Sequence, residues 1–208
     1  MKIIGICCSP RRHGNSEILL EEALASAREA GAETELITLS GKDIHFCDGC
    51  DSCKKTRKCH IQDDMQPIYA KMLEAQGIIF SAPVYMWTVN GQTKTLMDRT
   101  YSLWHGGLRN RIGGAILVAG RAGDVSASSV FASFFNIQRM VSAGTAMAFG
   151  LERGEVRKDE RGMAEAKALG RVVARYVKRM EKIDPNDPLE KPMRMPPREQ
   201  TVQHGVKA

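Results

Sequence analysis

The sequence predicts a doubly wound α/β protein, a five-stranded parallel sheet with helices on both faces. Short, wholly apolar runs recur along the 208 residues, and segments with helical spacing of apolar residues separate them. Hydrophobic residues make up 43% and charged residues 26% of the chain, which suits one domain with a full core. Residues 2–8, KIIGICC, read as the first buried strand, followed by a polar turn. From Ser16 to Ala30, Ile18, Leu19, Ala23, Leu24 and Ala27 mark one face of a helix. Residues 33–39, ETELITL, alternate as a strand, and 40–62 read as a cysteine-rich loop inserted into the domain. A helix over 63–75 opens on Asp63 and Asp64, which suit a cap and a first turn. Residues 77–83, GIIFSAP, predict a buried strand, then a turn-rich stretch to Gly91 and a helix over 92–103. Residues 113–120, GGAILVAG, predict the next strand, followed by a helix over 125–142. A short strand over 145–150 and a long helix over 161–182 complete the domain. Continuous apolar strands fit this arrangement because helices bury a parallel sheet on both sides.

The domain is thus expected over 1–182. The remainder, 183–208, holds five of the 8 prolines and little apolar periodicity. It reads as an extended C-terminal arm draped over a neighbouring subunit, with Leu189, Met193 and Met195 to bury; a disordered tail is the alternative.

Composition narrows the function. No stretch approaches the ~20 apolar residues of a membrane-spanning helix. The amino-terminal run ends in Ser-Pro-Arg-Arg and lacks the small-residue cleavage site of a signal peptide. A cytoplasmic protein without membrane contact is expected. The net charge of +6 comes with no basic stripe interleaved with aromatics, so nucleic acid is not an expected partner. Four of the 6 cysteines fall between Cys47 and Cys59; in a reducing compartment such clustering points to metal, not to disulfides.

Two segments beyond strand ends point to a bound anion and a planar ring. Ser9-Pro-Arg-Arg-His-Gly-Asn-Ser16 lies between the first strand and first helix, where free backbone N–H groups and the helix dipole favour a phosphate. Ser9, Asn15 and Ser16 add donors, Arg11 or Arg12 a charged fork, and Gly14 close backbone approach. The spacing is not G-x-G-x-x-G, so a terminal monophosphate fits better than a pyrophosphate; an ordinary polar βα turn is the alternative. At the end of the 77–83 strand, Pro83-Val84-Tyr85-Met86-Trp87-Thr88 places Tyr85 and Trp87 where they stack on a heterocycle or simply seal the sheet end.

These residues resemble the NADPH-dependent FMN reductase family of flavodoxin-like proteins. Ser9, Arg11, Gly14, Asn15 and Ser16 match its Ser-x-Arg-x-x-Gly-Asn-Ser/Thr loop, and Pro83, Tyr85, Lys94, Asp98 and Arg99 match its Pro-x-Tyr, Lys and Asp-Arg positions. The resemblance covers about residues 1–180. It implies that the first loop, with Arg12, binds the FMN phosphate and that 83–88 cradle the flavin. Gly120 and Gly123, in the turn Gly120-Arg-Ala-Gly123, correspond more loosely to its third loop.

The cysteines run Cys47-x2-Cys50-x2-Cys53-x5-Cys59. Four thiolates on one compact loop can wrap a cubane cluster. Structural zinc sites separate two C-x2-C knuckles, and zinc or free thiols are the alternatives here. The spacing also resembles the iron–sulfur flavoprotein branch of the same family. That implies a [4Fe–4S] cluster on Cys47, Cys50, Cys53 and Cys59 beside FMN, in a homodimer or homotetramer. Lys54, Lys55, Arg57 and Lys58 flank the ligands, as a site for an acidic donor or as plain solvated surface. Cys7 and Cys8 read as small core residues.

The expected activity is electron transfer between cluster and FMN, with a ferredoxin-type donor and a small-molecule acceptor such as oxygen, peroxide or a quinone. No side-chain nucleophile or acid/base pair is required. The alternatives are an NAD(P)H-dependent FMN or quinone reductase with a non-cluster cysteine loop, and a non-catalytic redox or iron sensor.

Overall fold

A computed structural model describes residues 1–182, so the arm expected over 183–208 lies outside the described residues. In chain order the elements are β1 (Lys2–Cys7), α1 (Asn15–Glu29), β2 (Glu33–Thr38), α2 (Ser52–Thr56), α3 (Met65–Glu74), β3 (Gly77–Tyr85) and β4 (Thr88–Val89). Then follow α4 (Gly91–Arg99), β5 (Ile112–Ala119), α5 (Asp124–Ile137), β6 (Val141–Phe149) and α6 (Glu160–Met180). Five strands run parallel in the order β2-β1-β3-β5-β6, and β4 adds a short antiparallel pairing to β3. This is the expected doubly wound sheet, in the flavodoxin-like strand order.

Side-chain alternation along the strands makes two cores. Ile4, Ile6, Phe80, Ala115 and Leu117 point to α3, α4 and α5, while Ile3, Cys7, Ile79, Ile116 and Val118 point to α1 and α6. Phe80 anchors the first, its ring centroid 5.7, 5.6 and 6.0 Å from those of Phe131, Phe134 and Phe135. Cys7 and Cys8 are core residues, both 0% exposed; burial pushes the Cys7 thiol up to about 12 and the Cys8 thiol further. Among the described residues no helix is long and apolar enough to cross a membrane.

Three departures from the sequence expectation have local causes. The helix expected over 125–142 ends at Ile137, because Arg139 takes a left-handed φ of 57° and Met140 N–H donates to the Phe135 carbonyl. That is a helix stop of the kind glycine usually provides, so nothing in the sequence announced it. The released residues extend β6 back to Val141. The turn-rich stretch after 83 is a hairpin: β3 runs to Tyr85, Tyr85 pairs with Thr88, and Met86 and Trp87 form the two-residue turn. Within the cysteine loop, residues 52–56 coil into the single turn of α2.

Candidate active site at the carboxyl edge of the sheet

The loops leaving β1, β2, β3 and β5 all emerge at the carboxyl ends of the parallel strands. From neighbouring β1 and β3 the chain departs to opposite faces, α1 joining one core and α4 the other. Such a switch point opens a crevice for a ligand.

At the β1 side, Gly14 is the N-cap of the 15-residue α1, and no side chain caps it; Glu17 in the first turn folds back to accept the His13 N–H at 2.8 Å, and the helix end offers its dipole to an anion. Ser9 is buried, and its Oγ accepts the Arg11 N–H at 3.1 Å, which shapes the turn. Ser16 is buried, and its carbonyl accepts the Ser81 hydroxyl at 2.7 Å, tying α1 to β3. Arg11 and Arg12 are exposed; Arg12 reaches the Ser40 carbonyl at 3.4 Å. Asn15 is committed elsewhere. Its Nδ2 donates to the Gly150 and Glu152 carbonyls at 3.2 and 2.8 Å, and its Oδ1 accepts from Gly154 N–H at 2.8 Å. Its amide therefore ties the start of α1 to the 150–154 turn. Asn15→Ala is expected to cost about 1–2 kcal/mol of stability by leaving these backbone groups unpaired. Chemical denaturation measures it, and an unchanged midpoint and slope would refute the assignment.

At the β3 side, Pro83 and Val84 are half-buried at the strand end. Tyr85, Met86 and Trp87 are 42, 91 and 68% exposed, and Thr88 is exposed. Met86 and Trp87 both hold positive φ, 46° and 66°. This backbone suits a tight hairpin, but Asn-Gly is its usual sequence, and strain of this kind concentrates at ligand sites. Gly123, at φ 96°, backs the hairpin: a Cβ there would lie 2.8 Å from the Trp87 Cα and 2.9 Å from Val84 Cγ1. Gly120 packs beneath Leu151, where a Cβ would lie 2.3 Å from Leu151 Cδ2. The third turn thus reaches the hairpin backbone through Gly123.

The cysteine loop follows β2. Cys47 and Cys50 are exposed, Cys53 and Cys59 half-buried, and all four are free thiols. They line one cavity together with Asp98, Arg99, Tyr101 and Ser102. The Cys53 thiol is held above its ordinary value by burial, and by the proximity of Cys59, Cys47 and Cys50. Among the described residues, Asp48, Cys50 and His60 form the one trio of potential ligands with atoms mutually within 4.8 Å. No three of the four sulfurs are that close. The structure gathers the four cysteines on one cavity, and their single contiguous run, unlike two separated C-x2-C knuckles, fits a cluster better than one zinc ion. Asp48 orders the first knuckle, accepting the Cys50 N–H at 3.1 Å and pairing with His60 Nε2 at 2.7 Å.

Both ends of the loop are fastened by an ion pair that sequence reasoning did not assemble. Asp63 was expected to cap α3; its Oδ1 does accept the Met65 N–H at 3.0 Å, but its chief partner is Arg99. Arg99 Nη1 and Nη2 grip Asp63 Oδ2 and Oδ1 at 2.5 and 3.0 Å, and Nη1 also donates to the His45 carbonyl at 2.8 Å. Both side chains are essentially unexposed. Burial alone would neutralise each, but their mutual hydrogen bonds outweigh it, lowering the Asp63 pKa and raising that of Arg99. The Asp98-Arg99 dipeptide was visible in the sequence, but its partner 36 residues earlier was not.

The family model for NADPH-dependent FMN reductases matches residues 1–153. The chain belongs to that family. Within it, the chain lies in the iron–sulfur flavoprotein branch. It is 40% identical over 193 residues to an iron–sulfur flavoprotein of Methanocaldococcus jannaschii, covering 88% of this chain and 100% of the relative. It is 37% identical over 154 residues to an iron–sulfur flavoprotein of Methanosarcina thermophila, covering 72% and 81%. An archaeal flavodoxin structure superposes with a TM-score of 0.58 at 16% identity, covering 86% of this chain and 99% of that one, a likeness of fold. The protein is therefore an FMN-dependent oxidoreductase, and the residues present fit that cofactor: an uncapped helix end for its phosphate and an exposed, strained aromatic hairpin for its ring. The soft sulfur donors gathered on one cavity fit a cubane.

Proposed function

We propose that this flavoprotein relays electrons between a [4Fe–4S] cluster on Cys47, Cys50, Cys53 and Cys59 and an FMN at the β1–β3 crevice. The observation that carries the reading is the single cavity lined by all four cysteines. When bound, the cluster handles one electron and the flavin one or two. Ser9, Arg11, Arg12, Gly14 and Ser16, with the free end of α1, receive the FMN phosphate, while Asn15 holds that end in place. The segment from Pro83 through Val84, Tyr85, Met86, Trp87 and Thr88 lies along the ring, supported by Gly120 and Gly123. The donor is a ferredoxin-type protein. Lys55, Arg57 and Lys58, all exposed beside the ligands, suit an acidic partner and favour added negative charge on the cluster. The acceptor is a small molecule such as oxygen, peroxide or a quinone. The groove joining Cys47 to the exposed Trp104 and Ile137 supports assembly as a homodimer or homotetramer.

Quantifying iron, acid-labile sulfide and flavin in anaerobically purified protein tests this. We expect near-stoichiometric FMN, iron and sulfide in cubane proportion, and flavin bleaching by reduced ferredoxin. Absence of iron and sulfide with rapid bleaching by NADPH alone would instead assign a plain NAD(P)H-dependent reductase. Cluster-dependent partner binding without turnover would assign a sensor.

A further inference from the structure

Arg99 is one of the residues lining the four-cysteine cavity. Its two terminal nitrogens are consumed by Asp63, the His45 carbonyl and, at 3.4 Å, the Ile61 carbonyl. Its third N–H is not: Nε is buried without any hydrogen-bond partner, although the whole side chain is 0% exposed. A buried guanidinium N–H left unpaired is costly, and such groups call for an explanation in function or a bound group. The Ser102 and Tyr69 hydroxyls donate to the Arg99 carbonyl at 3.3 and 2.8 Å, fixing the backbone that carries this side chain. The bidentate Asp63 contact neutralises the net charge locally, so what remains beside the cavity is one N–H dipole without a partner.

We propose that Arg99 Nε–H donates to a sulfur of the cluster and thereby sets its reduction potential, beyond fastening the loop. The inference rests on the cluster reading above. Reduction adds negative charge to the sulfurs, so a fixed donor stabilises the reduced form more than the oxidised form and raises the potential. Lysine can keep the ion pair with Asp63 but has no counterpart to Nε–H.

The test uses protein grown with 15N-arginine, reduced and studied by pulsed electron paramagnetic resonance, alongside Arg99→Lys in redox titration. We expect a weakly coupled arginine nitrogen in the wild type. In Arg99→Lys the cluster's reduction equilibrium should fall at least tenfold, about 59 mV for one electron, with the flavin potential unmoved. The labelled wild type makes the test independent of whether the variant keeps its cluster. A loaded cluster without nitrogen coupling, or an unchanged cluster potential in the variant, overturns this inference alone. Wild-type protein lacking iron and sulfide overturns it together with the cluster reading.

Discussion

Cys53→Ala is expected to reduce cluster iron and sulfide from about four each per chain to nearly none, while flavin content stays close to that of the wild type. The asymmetry follows from where the two sites are built. Cys53 lies on α2 in the excursion after β2, and much of that loop is exposed. Its side-chain ties to the domain gather at its base, in the Arg99–Asp63 clasp, the Asp43–Asp64 contact and the Gln66 amide on the Ile61 carbonyl, while the Asp48–Cys50–His60 knot orders its tip. On the proposed reading, metal binding would supply part of the loop's folding free energy, and three thiolates would hold a cubane poorly. The proposed flavin crevice draws on the ends of β1, β3 and β5, which this substitution leaves untouched. Iron, sulfide and flavin assays together measure the result, with proteolytic susceptibility of the 44–63 segment as a second readout. Iron retained at the wild-type level in Cys53→Ala would remove Cys53 from the ligand set.

Gly170→Ala should produce the largest loss of stability from adding a single methyl group. A Cβ at Gly170 would sit 2.0 Å from the Ala23 carbonyl oxygen and 2.8 Å from its carbon. The obstacle is backbone, which cannot rotate away as a side chain can. The helices α1 and α6 must part along their contact, loosening the core that Leu20, Leu24, Val173 and Val177 share. We expect a net cost on the order of 3 kcal/mol, after the roughly 1 kcal/mol that alanine gains over glycine in a helix. For a chain of this length that lowers Tm by about 6–12 °C. Differential scanning calorimetry measures it; a change under about 2 °C would show that α1 and α6 separate at little cost.

The main features of the fold could be read before any coordinates. Apolar runs such as KIIGICC and GGAILVAG specify strands buried on both faces, and local composition is enough because the sheet buries every residue of β5. Elements ended by unusual residues were not legible. Arg139 stops α5 and Met86-Trp87 turns the β3–β4 hairpin with positive φ where the common signals are glycine and asparagine, so propensity pointed the other way.

By itself the sequence determined the doubly wound architecture, the four-cysteine spacing and the phosphate-loop pattern, because each depends on residues close together in the chain. Only the tertiary structure decided that the four cysteines line one cavity with Arg99, that Asn15 is spent on the 150–154 turn, and that Arg99 reaches across 36 residues to Asp63. Those contacts join segments that are distant in sequence. They exist only once the sheet has brought the carboxyl ends of its strands to one edge.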